Sequence, residues 1–212
     1  MNNPWDLRTD DEREADSLPT FIIFCEDKVS EPVYFKYFET NKIKINLIGN
    51  QKSDLDNVVN AIKYGEDNEL LAVVSEGLEG TQIWRVFDRD VEAAAEQIHL
   101  NHIKFNESIK LAADKGFKVA WSNDAFELWV LLHFEDIDFQ IGDYKRRAFC
   151  YDRLTEVFRN LPNPNDYLTR TLQHGTFSYK KDMKQKKKFE QIVIHEIIPN
   201  TNLAIEQLLN ER

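Results

Sequence analysis

The chain has little of what small secreted domains depend on. Its 212 residues include two cysteines, Cys25 and Cys150, too few for a disulfide framework. Both sit in apolar stretches, the pattern of reduced, buried thiols in a cytoplasmic protein. Seven glycines and six prolines exclude a collagen-like or low-complexity chain. No apolar run approaches the roughly 18 residues that a bilayer span needs, so no membrane segment is expected. The opening MNNPWDLRTDDEREAD has no apolar core, so no signal peptide is expected either. Basic charge is also short: 27 Lys and Arg stand against 37 Asp and Glu, a net charge of −10. Such a chain is a weak candidate for coating duplexes passively, because that binding rests on neutralising phosphates. An enzyme whose carboxylates hold cations remains open, since the cations reverse the local field.

What is present is a globular composition, 42% hydrophobic and 12% aromatic. A chain of this length buries about 70% of its unfolded surface without any staple. Residues 1–18 carry six acids and two Arg and read as an acidic tail, with a docking arm as the alternative. Strand and helix signals then alternate. TFIIFC (20–25) is a continuous apolar run, as in a strand buried on both faces. Ser30 as N-cap and Pro32 in the first turn open a helix with Val33, Tyr34, Tyr37 and Phe38 at helical spacing. Residues 43–48 predict a second strand closed by Gly49. Ser53 and Asp56 suggest a capping box for a helix whose apolar stripe is Leu55, Val58, Val59 and Ile62. TQIWRVF (81–87) is the third strand, 91–115 mostly helix, FKVAW (117–121) the fourth strand, and 124–134 an apolar helix turning Phe126, Trp129, Val130, Leu132 and His133 inward. Strands separated by helices imply βαβ units and a mainly parallel, four-stranded sheet. Beyond residue 140 only helices and loops follow, broken at LPNPND (161–166). The expected organisation is a tail at 1–18, an α/β domain at 19–140, and a helical extension at 141–212 packed on it.

The acids fall where strands end. Glu26 follows the first strand, Asp88 and Asp90 the third, Ser122 and Asn123 the fourth, and Glu127 lies one turn into the next helix. In an open parallel sheet all strand C-termini line one edge, and ligands bind there. Clustered carboxylates repel, and a divalent cation relieves the repulsion. Mg²⁺ prefers oxygen ligands and keeps several waters, so two or three carboxylates suffice. In an extended segment, residues i and i+2 point the same way, so Asp88 and Asp90 can face one ion. A turn or helix cap is the plainer reading of any one of these acids; the ordered set is what carries information. No G-x-S-x-G, P-loop or Cys–His pattern is present.

These residues resemble the Toprim superfamily of topoisomerases, primases and overcoming-lysogenization-defect nucleases, whose marks are a Glu after the first strand and D-x-D after the third. The closer resemblance is to the RloB family, Toprim-like proteins associated with bacterial restriction and abortive-infection loci. It is carried by CEDKVSEPVYFKYF (25–38), FDRD (87–90), SNDAFELWVLLHF (122–134) and, less closely, SYKK (178–181), over roughly residues 20–190. The resemblance implies a Toprim-like Rossmannoid domain and a Mg²⁺-dependent endonuclease, with Mn²⁺ able to substitute, acting on RNA or DNA in anti-phage defence. It implies Glu26 as metal ligand or general base, Asp88, Asp90 and Glu127 as metal ligands, and Ser122, Asn123 and Glu31 as support. Lys180 or Lys181 would stabilise charge on the scissile phosphate. It also implies an ATPase partner of the AAA or ABC type; a homodimer is possible on the same grounds. Two departures stand out: Glu26-Asp27 where the family runs Glu-Gly, and Asp124 where it has a small residue or Pro. Topoisomerase chemistry would need further domains. Primase chemistry usually brings a zinc module, which two cysteines cannot build.

Other features divide between function and packing. The strip YKKDMKQKKK (179–188), with Lys184, Lys186, Lys187 and Lys188, suits phosphate contact as well as it suits a solvated helix face. His99 and His102 read as helix surface, His133 and the tryptophans Trp84, Trp121 and Trp129 as core. The nuclease reading requires Glu26 and Asp88 on one edge of the sheet, with no Lys or Arg filling the space between them. Its alternative is a non-catalytic Toprim-like module that binds nucleic acid or docks on an ATPase.

Overall fold

The computed structural model describes residues 18–51, 54–70, 80–89, 95–123, 125–138, 140–161 and 190–210. Four strands form one all-parallel sheet: β1 (Thr20–Cys25), β2 (Lys44–Ile48), β3 (Thr81–Asp88) and β4 (Lys118–Ser122). Their order is β2-β1-β3-β4. The connection from β1 to β2 runs one way along the sheet and β3 lies on the other side of β1, so the order reverses between β1 and β3. The crevice outside the strand C-termini at such a reversal is where Rossmann-like folds place ligands.

The sheet has helices on both faces. Ile22, Phe24 and Ile83 pack with Val58, Ala61, Ala112 and Phe117, joining α2 (Asp54–Asp67) and α3 (Ala95–Asp114) to one face. The other face carries Ile23, Cys25, Ile45 and Val86. This two-sided burial is why β1 has no polar alternation in its sequence. A second core joins α1 (Ser30–Lys36), α4 (Phe126–Leu131) and α5 (Arg147–Arg159) to the C-terminal segment. Val33, Val130, Leu154, Phe158, Ile192, Val193 and Ala204 are buried in it. That segment runs through a π-helical turn (Val193–Ile197) and a 3-10 turn (Ile198–Asn200) into α6 (Thr201–Asn210). Gln207 of α6 ties it down: Ile137 N–H donates to its Oε1 (3.2 Å), and its Nε2 donates to Leu132 O (3.0 Å) and Glu135 O (3.1 Å). No helix among the described residues is long and apolar enough to cross a membrane.

Several local expectations are corrected. The helix after β1 is capped at Val29, not Ser30; the Asp27 carboxylate accepts from Val29 N–H (2.8 Å), Ser30 N–H (3.2 Å) and the Ser30 hydroxyl. An Asp three residues ahead thus satisfies the first turn's donors. Val59 is 51% exposed and Ala61 takes the inward position beside Val58, so the α2 stripe is narrower than the sequence suggests. The helix after β4 covers only Phe126–Leu131. Trp121 is 46% exposed at the sheet edge rather than in the core, with Phe105 edge-on to it and the Arg89 guanidinium over its ring. The tail at 1–17, Ser53, Asp90, Asp124, the LPNPND break after Leu161 and the lysine strip, including Lys180, Lys181, Lys184, Lys186, Lys187 and Lys188, lie outside the described residues, as does the His99 side chain.

Candidate functional site

The site begins with register. β1 and β3 run side by side with Cys25 opposite Val86, so Glu26 leaves β1 where β3 reaches Asp88. The two acids meet there: Asp88 N–H donates to Glu26 Oε2 at 2.8 Å. Across β3, Asp88 is opposite Ser122 of β4, and Arg89 N–H donates to Ser122 O at 2.9 Å. One strip of backbone therefore sets Glu26, Asp88 and Ser122 along the C-terminal edge, at the reversal of strand order. Asn123 continues from it, exposed.

The loop after β1 adds two acids. Asp27 caps α1, as above, and Glu31 in the first turn of α1 is 2% exposed, accepting from Asp27 N–H at 3.3 Å. Burial drives the Glu31 carboxyl well above the usual range, and the negative charges of Asp27, Asp88 and Glu26 push it further. It therefore holds its proton to higher pH than a free Glu does. Gly49, just after β2, closes this loop from behind: a Cβ there would stand 2.9 Å from Asp27 O. The same crowding and burial push the Cys25 thiol far up, so it is inert.

Glu127 is buried in the first turn of α4. It connects to the other acids through α5: burial raises the Tyr151 hydroxyl, and the charges of Glu127, Asp88 and Asp27 raise it too, with Arg147 opposing them. Arg147, at the start of the same helix, donates from Nη2 to Asp88 Oδ2 at 3.0 Å. An Arg thus stands against Asp88 Oδ2, next to the space that the nuclease reading needs between Glu26 and Asp88.

The structure thus brings Glu26, Asp88, Asp27 and Glu31 together, with Glu127 reached through Tyr151. Among the described residues, no group of three or more carboxylate, imidazole or thiol side chains is close enough to hold a metal ion. The donor chemistry still suits Mg²⁺, which takes hard anionic oxygens and needs only one or two carboxylates beside its waters and a phosphate. Glu26 and Asp88 supply that pair. His133 is buried, its Nδ1 2.9 Å from Trp129 O and its ring edge-on to Tyr34 and Trp129, and burial holds its pKa down. It belongs to the core. His102 Nδ1 lies 3.4 Å from Arg89 Nη2 on the surface of α3, as expected of that residue.

Three site residues went unread in the sequence: Asp27, Arg147 and Tyr151. Asp27 looked like a departure from the Glu-Gly pattern and is instead the cap of α1. Arg147 and Tyr151 are four apart, which on a helix puts them on one face, but nothing in the sequence points that face at a sheet some 60 residues upstream in β3.

No curated protein and no solved structure matches the chain. A family model described as RloB-like protein matches residues 21–210, nearly the whole length and all the elements of the site, so the chain belongs to the RloB-like family.

Proposed function

We propose that the protein is a Mg²⁺-dependent endonuclease that cleaves phosphodiesters in RNA or DNA, the effector of a bacterial anti-phage or abortive-infection system working in the cytoplasm. The observation that carries this is the Glu26–Asp88 contact at the sheet's reversal point, 2.8 Å between the Glu26 carboxylate and the Asp88 amide. The carboxyls of Glu26, Asp27, Asp88 and Glu31 crowd this edge closely enough that their charges raise the Glu31 pKa further above what burial does, the setting in which a hard cation is favoured. Glu26, Asp88, Asp90 and Glu127 would hold the metal, and Ser122 and Asn123 would support them. A bound Mg²⁺ supplies a water of lowered pKa and positive charge at the phosphate.

The chain's own residues would do the rest. The Asp88 amide fixes the Glu26 rotamer, and a carboxylate held there can accept a proton from an attacking water. Glu31 accepts from the Asp27 amide and braces it. Tyr151 keeps its hydroxyl proton and can donate it as a hydrogen bond at the crevice. Lys180 or Lys181 would stabilise charge on the phosphate, and Lys184, Lys186, Lys187 and Lys188 would track the strand's backbone.

The test is incubation of the purified protein with RNA and with DNA in Mg²⁺ or Mn²⁺. Cleavage is expected, and loss of it on Asp88→Ala with Asp90→Ala. Cleavage that survives the double substitution refutes the assignment.

A second reading is favoured by one observation, Arg147 on Asp88: a non-catalytic module whose acids are charge-balanced internally, docking on an ATPase partner or binding nucleic acid. It predicts nucleic-acid or ATPase binding that is indifferent to metal. Co-purification with an ATPase while cleavage is absent in every metal would select it.

A further inference from the structure

We propose that Arg147 serves this crevice in two positions: on Asp88 while no metal is bound, and on a substrate phosphate once Asp88 turns to a metal. The inference rests on the nuclease reading above and names a residue that reading does not use.

Arg147 sits at the start of α5, whose Leu154 and Phe158 are fully buried and whose Arg153 is held by the Glu135 carboxylate at 2.6 Å. The helix backbone is therefore fixed, and only the Arg147 side chain has to move. Its contact with Asp88 is 3.0 Å, with the two side chains 26% and 13% exposed, so water screens it only in part. By contrast, the neighbouring pair of Arg146 and Asp143 is exposed, 60% and 54%, and contributes little.

The exchange follows from ligand chemistry. Asp88 Oδ2 carries the guanidinium, and the same carboxylate is the one a divalent ion would seek. A hard dication and a guanidinium fork compete for one carboxylate. If the ion takes it, the Nη2 donor that held Asp88 Oδ2 is given up beside the acids. A planar fork of N–H donors matches a phosphate's oxygens better than an ammonium does. Without substrate or metal, Arg147 offsets the repulsion among Glu26, Asp27 and Asp88. With both, it contacts the polyanion the acids would otherwise repel.

A double-mutant cycle isolates this from general charge effects. Binding of fluorescein-labelled single-stranded RNA and DNA oligonucleotides is measured by anisotropy in EDTA, for the wild type, D88N, R147Q and the double variant. D88N removes the charge on Asp88 that holds Arg147 Nη2 and is expected to tighten binding about tenfold, the order of one charge-assisted contact. R147Q should have little effect alone and should abolish that gain. R147K in the D88N background, with the charge but not the fork, should restore part of it. R147Q weakening binding by the same factor in both backgrounds overturns the proposal. Mn²⁺ titration by calorimetry gives the other half: R147Q should bind Mn²⁺ about tenfold tighter than wild type, since a competing contact is gone. Equal Mn²⁺ affinity overturns the exchange at Asp88. Mn²⁺ binding by neither protein overturns the nuclease reading instead, while the cycle in EDTA still decides whether Arg147 is a phosphate ligand.

Discussion

Replacing Arg85 with Met should make the protein more stable. Arg85 lies in the middle of β3, 0% exposed and among the largest fully buried side chains. Its neighbours in register are Phe24 on β1 and Val119 on β4. Among the described residues none of its three guanidinium nitrogens has a hydrogen-bond partner. Among the described residues its one favourable electrostatic contact is the Phe24 ring, 5.6 Å from the guanidinium carbon. Burial alone pushes its pKa well down from the usual guanidinium range, to about 9. At 1.36 kcal/mol per pH unit, keeping the charge there costs about 5 kcal/mol. The ring returns about 2 kcal/mol in a desolvated site. Met has a similar length, no charge, and adapts to irregular space. A gain of about 1–3 kcal/mol is expected, in the range found when buried charges give way to hydrophobes of like volume.

Denaturant unfolding followed by circular dichroism, with a thermal scan beside it, reads the effect. The melting temperature should rise by about 2–12 °C, at about 2–4 °C per kcal/mol for a chain of this size. There is a pH signature too. The folded pKa lies below the unfolded one, so from about 9 up to the ordinary guanidinium value the unfolded chain holds the proton that the native state has lost. Wild-type stability should therefore gain from this group as pH rises through that window, and Arg85→Met should not share the gain. A loss of more than about 1 kcal/mol in the variant would refute the reasoning, because removing one partner of a buried polar pair costs at least that much.

Three further outcomes are expected. Glu31→Gln keeps the acceptor for the Asp27 amide and removes a carboxyl whose folded pKa is raised; the native state holds a proton that the unfolded chain releases above about pH 4.3. Wild-type stability should therefore fall as pH rises from there, the variant should fall less, and its urea midpoint at pH 8 should exceed the wild type's. Gly49→Ala puts a Cβ against the Asp27 carbonyl and should cost about 1–3 kcal/mol in denaturant unfolding. Gln207→Ala strips three hydrogen bonds from the backbone around Leu132–Ile137 and should cost about 1–3 kcal/mol in the same assay.

The sheet was legible because its two central strands are largely buried on both faces. TFIIFC is apolar after its first residue, TQIWRVF keeps four apolar residues beside Thr81, Gln82 and Arg85, and the intervening segments carry helical spacing. The rim acids were legible for the same reason, since a parallel sheet delivers every strand end to one edge. Arg85 was the polar residue hidden inside such a run, and sequence had no means to mark it as unpaired. Caps were harder: Ser30 had the right chemistry for an N-cap, but the chain turns one residue earlier and Asp27 reaches the same donors. Arg147 and Tyr151 were out of reach. Their position depends on how α5 packs through Leu154 and Phe158 onto α4, a tertiary fact that an apolar stripe announces without naming its partner.

The crevice meets its own repulsion in three different ways. The Asp88 amide donates to Glu26, the Arg147 guanidinium pairs with Asp88, and Glu31 holds its proton to higher pH than a free carboxyl. Each has a different reversibility. The amide contact is part of the backbone and persists whatever binds. The guanidinium moves by side-chain rotation alone. The proton leaves only if positive charge arrives to replace it. A divalent ion entering beside Glu26 and Asp88 would therefore be felt first at Arg147 and then at Glu31, with the framework of β1 and β3 unchanged. Proton release on metal binding is the measurable trace of that order. Calorimetric Mn²⁺ titrations in buffers of different ionisation enthalpy should show protons released by the wild type and fewer by Glu31→Gln. Identical release by the two would mean that Glu31 stands outside the ion's field, and that the acids at this edge respond separately.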